Sequence, residues 1–586
     1  MEKFQVTLKR GVDIQAFYDD METPGGALTI PNRKVECGER RPTSRTTGYM
    51  LTLEEAKDVS YDERVEVVVP QSVLDRQTTV AQSTFTGRFD KSTSPAGSLF
   101  TKSDGTNGVT YTNYDHHPWS ILRHAETTNR SNWGADAGSS SERRVDTSVT
   151  YSASGKHVDI IIVENRTLSD HAEYSDRLID YNWGQHYNTI NGGTNYTYSH
   201  ADARDNYSQE HNHPTAVAAY AAGKRFGLAN NANVYQFDGT YEQSKSGGGS
   251  TDRTFAYIRE FHRTKPINPI TGKKNPTIVN ASLGTINYYS GASFAHFMGA
   301  DLDKGDGSTF LTQAELLARG VYTNAGRAWA NWVSNTDFQL NSPSPNSDIV
   351  DAIAEGIVIV TASGNDNFYT DVPGGAHYDD YMVDGAAYVN RNYSFNGYYP
   401  FRDYYMRGDK FNYNGAINVG SLSDAIDEGK ADFSNWGPGI DVYAAGERIM
   451  GAGMKDEIAY GNPYYGQLNN VGYWDTMMSQ NGTSFSSPFI AGMLACLAEI
   501  YPNLTNAQAK AWLQNNAITG LMQDTANAIG VDVDTRVSID GSDIDRIAYW
   551  KNHKKVVGYT GNNTYGINGR PASGAVYPRV KKRLKG

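Results

Sequence analysis

Runs of continuous aliphatics recur in the middle of the chain: VDIIIV (158–163), TIVNAS (277–282), GIVIVTAS (356–363), AINVGS (416–421) and IDVYAA (440–445). Stretches with helical spacing alternate with them: PTAVAAYAAG (214–223), FAYIREFHR (255–263), SDIVDAIAEG (347–356) and SFSSPFIAGMLACLAEIY (484–501). A strand that is apolar at every position is buried on both faces, so this alternation predicts an α/β fold with a mainly parallel sheet covered by helices on each side. Chemistry in such a sheet belongs at the carboxyl ends of its strands.

The first 72 or so residues follow another pattern. FQVTLK alternates like a half-buried strand, Thr52 is placed to cap a helix over LTLEEAKDV, and VEVVVP reads as a short buried strand. A small α+β domain over 1–72 is therefore expected. The stretch 73–110 turns to Ser, Thr, Gly and Asp and reads as a linker. The large α/β domain is expected over 111–525, with polar insertions at about 285–346 and 366–413, followed by an extension over 526–586.

Composition narrows the classes. A length of 586 residues is a prior of roughly four domains and needs no staple for size. The net charge of −12 disfavours a nucleic-acid binder. The last 37 residues hold nine Lys or Arg and no acid, so the rest is more acidic than the total implies; the tail reads as a solvated or surface-docked extension, with an anchor onto an acidic partner or nucleic acid as the alternative. Two cysteines, Cys37 and Cys496, cannot build a disulfide framework or a thiolate zinc site. The N-terminal MEKFQVTLKRG lacks the apolar core of a secretory signal, and the longest apolar run, Phe489 to Leu497, is about half a membrane span. No membrane association is expected, and the location expected is intracellular or on a virion.

Specific chemistry first emerges at Gly482-Thr-Ser-Phe-Ser-Ser-Pro-Phe-Ile-Ala-Gly492. A Ser at a helix start exposes its hydroxyl beside backbone N–H groups that can serve an oxyanion. It needs a base, and His213-Pro-Thr-Ala-Val-Ala-Ala sets a His at another helix start. His213 competes with His211. Together these segments resemble the GTSxxSPxxAG and HGTxVAG motifs of the subtilisin-like serine proteases. The resemblance runs from about 110 to 520. It includes Phe433-Ser-Asn-Trp-Gly-Pro-Gly-Ile-Asp-Val-Tyr-Ala-Ala-Gly446, Pro118-Trp-Ser-Ile-Leu-Arg123 and Pro502-Asn-Leu-Thr505.

The resemblance implies a three-layer subtilisin-like fold and a serine endopeptidase acting through an acyl-enzyme. Ser484 would be the nucleophile and His213 the base. The family places an Asp after the first core strand; here that residue is Glu164, with Asp170 and Asp159 as alternatives. Asn365, after GIVIVT in Ala362-Ser-Gly-Asn, matches the oxyanion donor. Ser282, Leu283, Gly284 and Gly364 match substrate-lining positions, and Gly248 in Ser246-Gly-Gly-Gly-Ser250 is a candidate for the opposite edge. The substrate implied is an extended polypeptide pairing with edge segments.

The N-terminal unit resembles the inhibitor-like propeptide of these proteases, expected to occupy the cleft, with cleavage expected in 73–110. No cofactor is required by the resemblance. Calcium is the one ion admitted, and Asp301, Asp303 and Asp306 are the residues considered, although Gly307 and Glu315 fall out of EF-hand register. The competing expectation is a catalytically weak or inactive structural or assembly protein on the same scaffold, such as one from a phage virion, with Glu164 marking the relaxed triad.

Overall fold

A computed structural model describes residues 1–74 save 26–32 and 41–42, short strands and one helix between 75 and 152, and most of 153–556. Gaps in this last stretch lie mainly at 192–211, 239–250, 303–310, 319–337, 454–465, 468–475 and 523–545. The basic tail beyond 556 falls outside the described residues.

The N-terminal unit consists of β1 (Glu2–Leu8), α1 (Ile14–Glu22), β2 (Glu36–Glu39), β3 (Thr46–Leu51), α2 (Leu53–Ser60) and β4 (Val65–Pro70). Its antiparallel sheet runs β2-β3-β1-β4. Period-two alternation sends Phe4, Val6 and Leu8 into a core with Phe17, Val59 and Tyr49. The predicted cap is a full capping box: Glu55 N–H donates to Thr52 Oγ1 (3.2 Å) and Thr52 N–H to Glu55 Oε2 (2.8 Å). The chain then continues as β5 (Thr78–Ala81) and β6 (Thr84–Phe85).

The large domain is built on β7 (Asp159–Glu164), β8 (Leu178–Ile179), α3 (Asn212–Ala222), β9 (Asn233–Asp238), α4 (Thr251–Thr264), β10 (Thr277–Ala281) and β11 (Leu283–Tyr289). It continues with α5 (Ser347–Ala354), β12 (Val358–Ala362), β13 (Ile417–Leu422), β14 (Val442–Ala445), β15 (Thr476–Asn481), α6 (Thr483–Ile500) and α7 (Asn506–Asn516). Seven strands form one parallel sheet in the order β8-β9-β7-β10-β12-β13-β14. All five predicted strands lie in it.

Along β7, Ile160 and Ile162 join a core with α3 and α6, while Ile161 and Val163 join another with α4 and α5. Burial on both faces is why this strand reads as unbroken aliphatics. Helix α6 is long and apolar enough to cross a membrane, yet 89% of that window is buried as the central core helix. Strand order reverses at β7, whose neighbours β9 and β10 follow it on opposite sides, so a crevice opens at its carboxyl end.

The linker reading needs correction. Thr78–Ala81 pairs antiparallel with β11, Ala81 opposite Leu283 and Val80 opposite Gly284. Thr84 and Phe85 pair antiparallel with Asn481 and Gln480 of β15. A further meander, Phe89–Lys91, Leu99–Lys102 and Val109–Thr112, follows. Polar, Thr-rich composition and runs of only two to four residues hide these strands, because neither produces a continuous aliphatic pattern.

Candidate active site

Glu164 closes β7 at the reversal point, and α3 brings His213 to it in its first turn. His213 Nδ1 lies 3.1 Å from Glu164 Oε2. With a carboxylate accepting, Nδ1 carries the proton and Nε2 presents the lone pair, the tautomer a general base needs. Pro214 sits in the first helical turn, where an intrahelical donor is dispensable. Behind it, Val217 and Ala218 are fully buried and hold the helix against the core. Glu164, His213 and Ser484 are 1%, 4% and 0% exposed, so their interactions are screened little by water.

Of the other acids considered, Asp159 does not compete. Asp159 lies at the opposite, amino end of β7, ion-paired with Lys265 Nζ at 2.8 Å. Asp170 and His211 fall outside the described residues.

Ser484 occupies the first turn of α6, where the ring of the next residue, Phe485, packs 5.3 Å from the His213 ring. Gly482 precedes it as N-cap with φ 147° and ψ 149°, a conformation essentially reserved to glycine, and this fixes the entry into the helix. Ser484 Oγ donates to Ser282 O at 3.2 Å. His213 Nε2 is buried with no hydrogen-bond partner among the described residues. The acid–imidazole half of the site is therefore assembled while the hydroxyl faces the β10 end. Hydrogen bonds to a catalytic hydroxyl commonly close only with substrate in place.

Ser282 is more than a lining residue. Its Oγ donates to Ser484 O (2.8 Å), accepts from Asn280 Nδ2 (2.8 Å) and lies 3.0 Å from Ser487 Oγ. This polar cluster ties β10 to the first turn of α6. Leu283 and Gly284 begin β11 and face the β5 segment.

Asn365 follows β12, where its Oδ1 accepts from Thr483 N–H (2.9 Å) and Thr483 Oγ1–H (2.8 Å). With the oxygen end so engaged, the NH2 end is the one that would donate to an oxyanion. Gly364 N–H donates to Thr483 Oγ1 at 3.2 Å, which tightens the same joint. Sequence reasoning missed Asn435 as a positioning residue. Its Nδ2 donates to Ser363 O (2.6 Å), and its Oδ1 accepts from Asp366 N–H (3.2 Å) and Phe368 N–H (2.9 Å), clamping the loop that carries Asn365. The signal was a buried-type polar residue inside the Phe433-Ser-Asn-Trp segment.

Gly248, Asp303 and Asp306 fall outside the described residues. Asp301 is exposed and accepts from His296 Nδ1 at 2.7 Å. Among the described residues no cluster of three or more metal-ligating side chains is present.

The seven-stranded parallel sheet between helix layers, with Glu164 against His213 and Ser484 opening the helix whose Phe485 packs on that His, defines a three-layer α/β protein with a candidate serine-nucleophile site. The family model described as "Subtilase family" matches residues 149–547, and the chain belongs to that family. It is 23% identical over 346 residues to the subtilase-type proteinase RRT12 of Saccharomyces cerevisiae, covering 58% of this chain and 44% of that protein. It is 27% identical over 202 residues to the M-protease of Shouchella clausii, covering 33% and 38%. The match thus spans less than half the length of either relative. Among solved structures, fervidolysin from Fervidobacterium pennivorans, a keratinolytic enzyme related to subtilisin, aligns with TM-score 0.46 and 14% identity over 94% of this chain and 60% of its own. A cold-adapted subtilisin-like serine proteinase aligns with TM-score 0.36 and 16% identity over 70% and 94%.

Proposed function

We propose that this chain is a serine endopeptidase working through an acyl-enzyme, and that its own residues 81–84 are the first peptide presented to it. The observation that carries the reading is the 3.1 Å contact between Glu164 and His213 at the carboxyl end of the sheet, beside the helix start that holds Ser484.

Ser484 Oγ leaves Ser282 O, gives its proton to His213 Nε2 and attacks the carbonyl carbon of the peptide. Glu164 stabilises the imidazolium so formed. The oxyanion takes hydrogen bonds from the Ser484 N–H and the Asn365 NH2 group. Collapse breaks the C–N bond, and the leaving amine takes the proton from His213. Water then attacks the ester by the same route and restores Ser484. These steps need no cofactor.

Extended polypeptides suit the site because the edge of β11 offers main-chain pairing. The two ladders support a first substrate in cis. Val80 and Ala81 pair beside Ser282, Thr84 pairs beside Gly482, and the Gln82–Ser83 bond lies between them in sequence. The N-terminal unit then has the part of an inhibitor-like propeptide.

The test is the intact mass of the purified chain beside its Ser484→Ala variant, with serine-directed phosphonate labelling of both. We expect two fragments meeting at 82/83 and a Ser484 adduct in the unsubstituted protein, and one uncut, unlabelled chain in the variant. An uncut, unlabelled parent protein that also leaves an unstructured polypeptide intact would overturn the reading.

A further inference from the structure

The insertion over 366–413 does something its polar, Tyr- and Asn-rich sequence does not advertise. At its tip, Phe395 and Tyr398 exchange backbone hydrogen bonds (2.8 and 3.1 Å) around Asn396-Gly397, with φ 48° and 90°. Two successive positive φ values make this the tight hairpin turn that Asn-Gly favours. The turn presents Phe395, 1% exposed, to the N-terminal unit. Its ring stands edge-on to Phe4, centroids 5.9 Å apart, inside the cluster that contains Val6, Phe17 and Tyr49. Tyr393 packs on Phe395 and donates from its hydroxyl to Leu53 O at 2.9 Å. Tyr398 and Phe401 pack on Val69, Val73 and Leu74.

A second grip lies on α5. Asp351 receives Arg45 Nε and Arg10 Nε, each at 2.8 Å, and Asp348 receives Ser44 Oγ at 3.0 Å. Thr46 Oγ1 lies 2.7 Å from Ser347 Oγ. Arg45, Asp348 and Asp351 are all buried in the docked protein, and Arg259 of the catalytic domain pairs with both aspartates from the other side, so Arg45 completes a buried charge network that spans the two units.

Most docked domains meet across finished surfaces. Here, separation would leave a hole in the smaller partner, whose short chain has little core to spare. We infer that the N-terminal unit is a fixed inhibitory subunit of the catalytic domain, locked in place by Phe395, which the catalytic domain's own insertion contributes to the unit's hydrophobic core. The inhibitory part rests on the endopeptidase reading above. The retention does not. The strand Thr78–Ala81 stays beside Leu283–Ile286 for as long as the unit stays, so entry of an external polypeptide requires displacement of the whole unit.

The experiment uses the full chain carrying Ser484→Ala and a recognition sequence for an exogenous site-specific protease between Lys91 and Leu99. After cutting, size-exclusion chromatography follows the N-terminal fragment. It should co-elute with the remainder, and Phe395→Ala should weaken its retention by about 100-fold. Because Phe395→Ala can also unfold the unit, Asp351→Asn is run in parallel. It leaves the unit's core untouched and should weaken retention by about tenfold. Separation of the fragment with Phe395 in place, or unchanged retention in both variants, would overturn the inference.

The same cut in protein with Ser484 intact is assayed on an unstructured polypeptide. Hydrolysis should be low and should rise with Phe395→Ala. Equal hydrolysis with the fragment still bound would overturn the inhibitory part. Retention with no hydrolysis and no phosphonate adduct in any variant would instead sink the endopeptidase reading and leave the retained subunit standing.

Discussion

Glu164 Oε2 stands 3.1 Å from His213 Nδ1 at the end of the β7 strand, so the longer acid meets the imidazole without a break in the strand. Two substitutions separate charge from reach. Glu164→Gln keeps the length but lets an amide donate to Nδ1, which favours the wrong tautomer, and kcat should fall by about 10⁴-fold. Glu164→Asp keeps the charge but withdraws it by about one bond length, and a misplacement of that size should lower kcat by about 10²-fold. Steady-state hydrolysis of an unstructured polypeptide, measured in the Phe395→Ala background that loosens the N-terminal unit, reads both, with KM little changed. A Glu164→Gln protein retaining a tenth of parental kcat would mean that this contact does not orient the base.

Asn365 and Thr483 share a joint through Asn365 Oδ1, which accepts from both the amide and the hydroxyl of Thr483. Asn365→Leu removes the donor and keeps the volume. It should lower kcat by about 10²–10³-fold at similar KM, the magnitude that deleting one oxyanion donor causes in subtilisin, a member of the same family. Thr483→Val removes only the hydroxyl bond and should have a smaller effect in the same direction. Equal kcat in the parent and Asn365→Leu proteins would remove Asn365 from the oxyanion site.

The parallel sheet was legible because burial on both faces writes itself as unbroken aliphatics, and Ile160 to Val163 are the clearest case. The candidate site was legible because Ser484 and His213 each sit in a helix start with a strict local requirement, Gly482 for one and an early proline for the other. Other parts left weaker traces. Strand β9, NVYQFD, alternates polar residues and hides among Asn and Gln. The β5 and β6 strands pair along other strands' edges in short runs, and Phe395 is one of many aromatics in a Tyr-rich insertion, so neither stands out as a periodicity. Asn435 acts through three backbone bonds, and a contact of that kind depends on two distant loops meeting.

Gly492 lies where α6 crosses α3, and a Cβ there would come 2.3 Å from Ala221 O. No flexible side chain can yield, because the obstacle is backbone. These two helices also carry Ser484 and His213, so forcing them apart moves the nucleophile away from its base. Gly492→Ala should destabilise the domain by about 1–3 kcal/mol and lower kcat in the folded fraction as well. Thermal unfolding and active-site titration together check this. A folded Gly492→Ala protein with parental kcat would show that the crossing does not set the Ser484–His213 spacing.

Asp409 caps the short helix Lys410–Tyr413, accepting from Asn412 N–H at 3.0 Å, while its Oδ2 is buried without a hydrogen-bond partner among the described residues. Burial pushes its carboxyl up to about 7, against the bonds from Asn412 and the charge of Lys410. The folded protein therefore holds this proton more tightly than the unfolded chain, whose carboxyl titrates near 4. Stability linked to the group is intact below about pH 4, falls as pH rises toward about 7, and stays reduced above that. Asp409→Asn keeps the cap and removes the titration. Its melting temperature should match the parent below about pH 4 and exceed it increasingly up to about pH 7, by a stability difference on the order of 1–3 kcal/mol. Parallel melting curves across that range would show that Asp409 is ionised in the folded protein throughout, with a partner that burial alone does not predict.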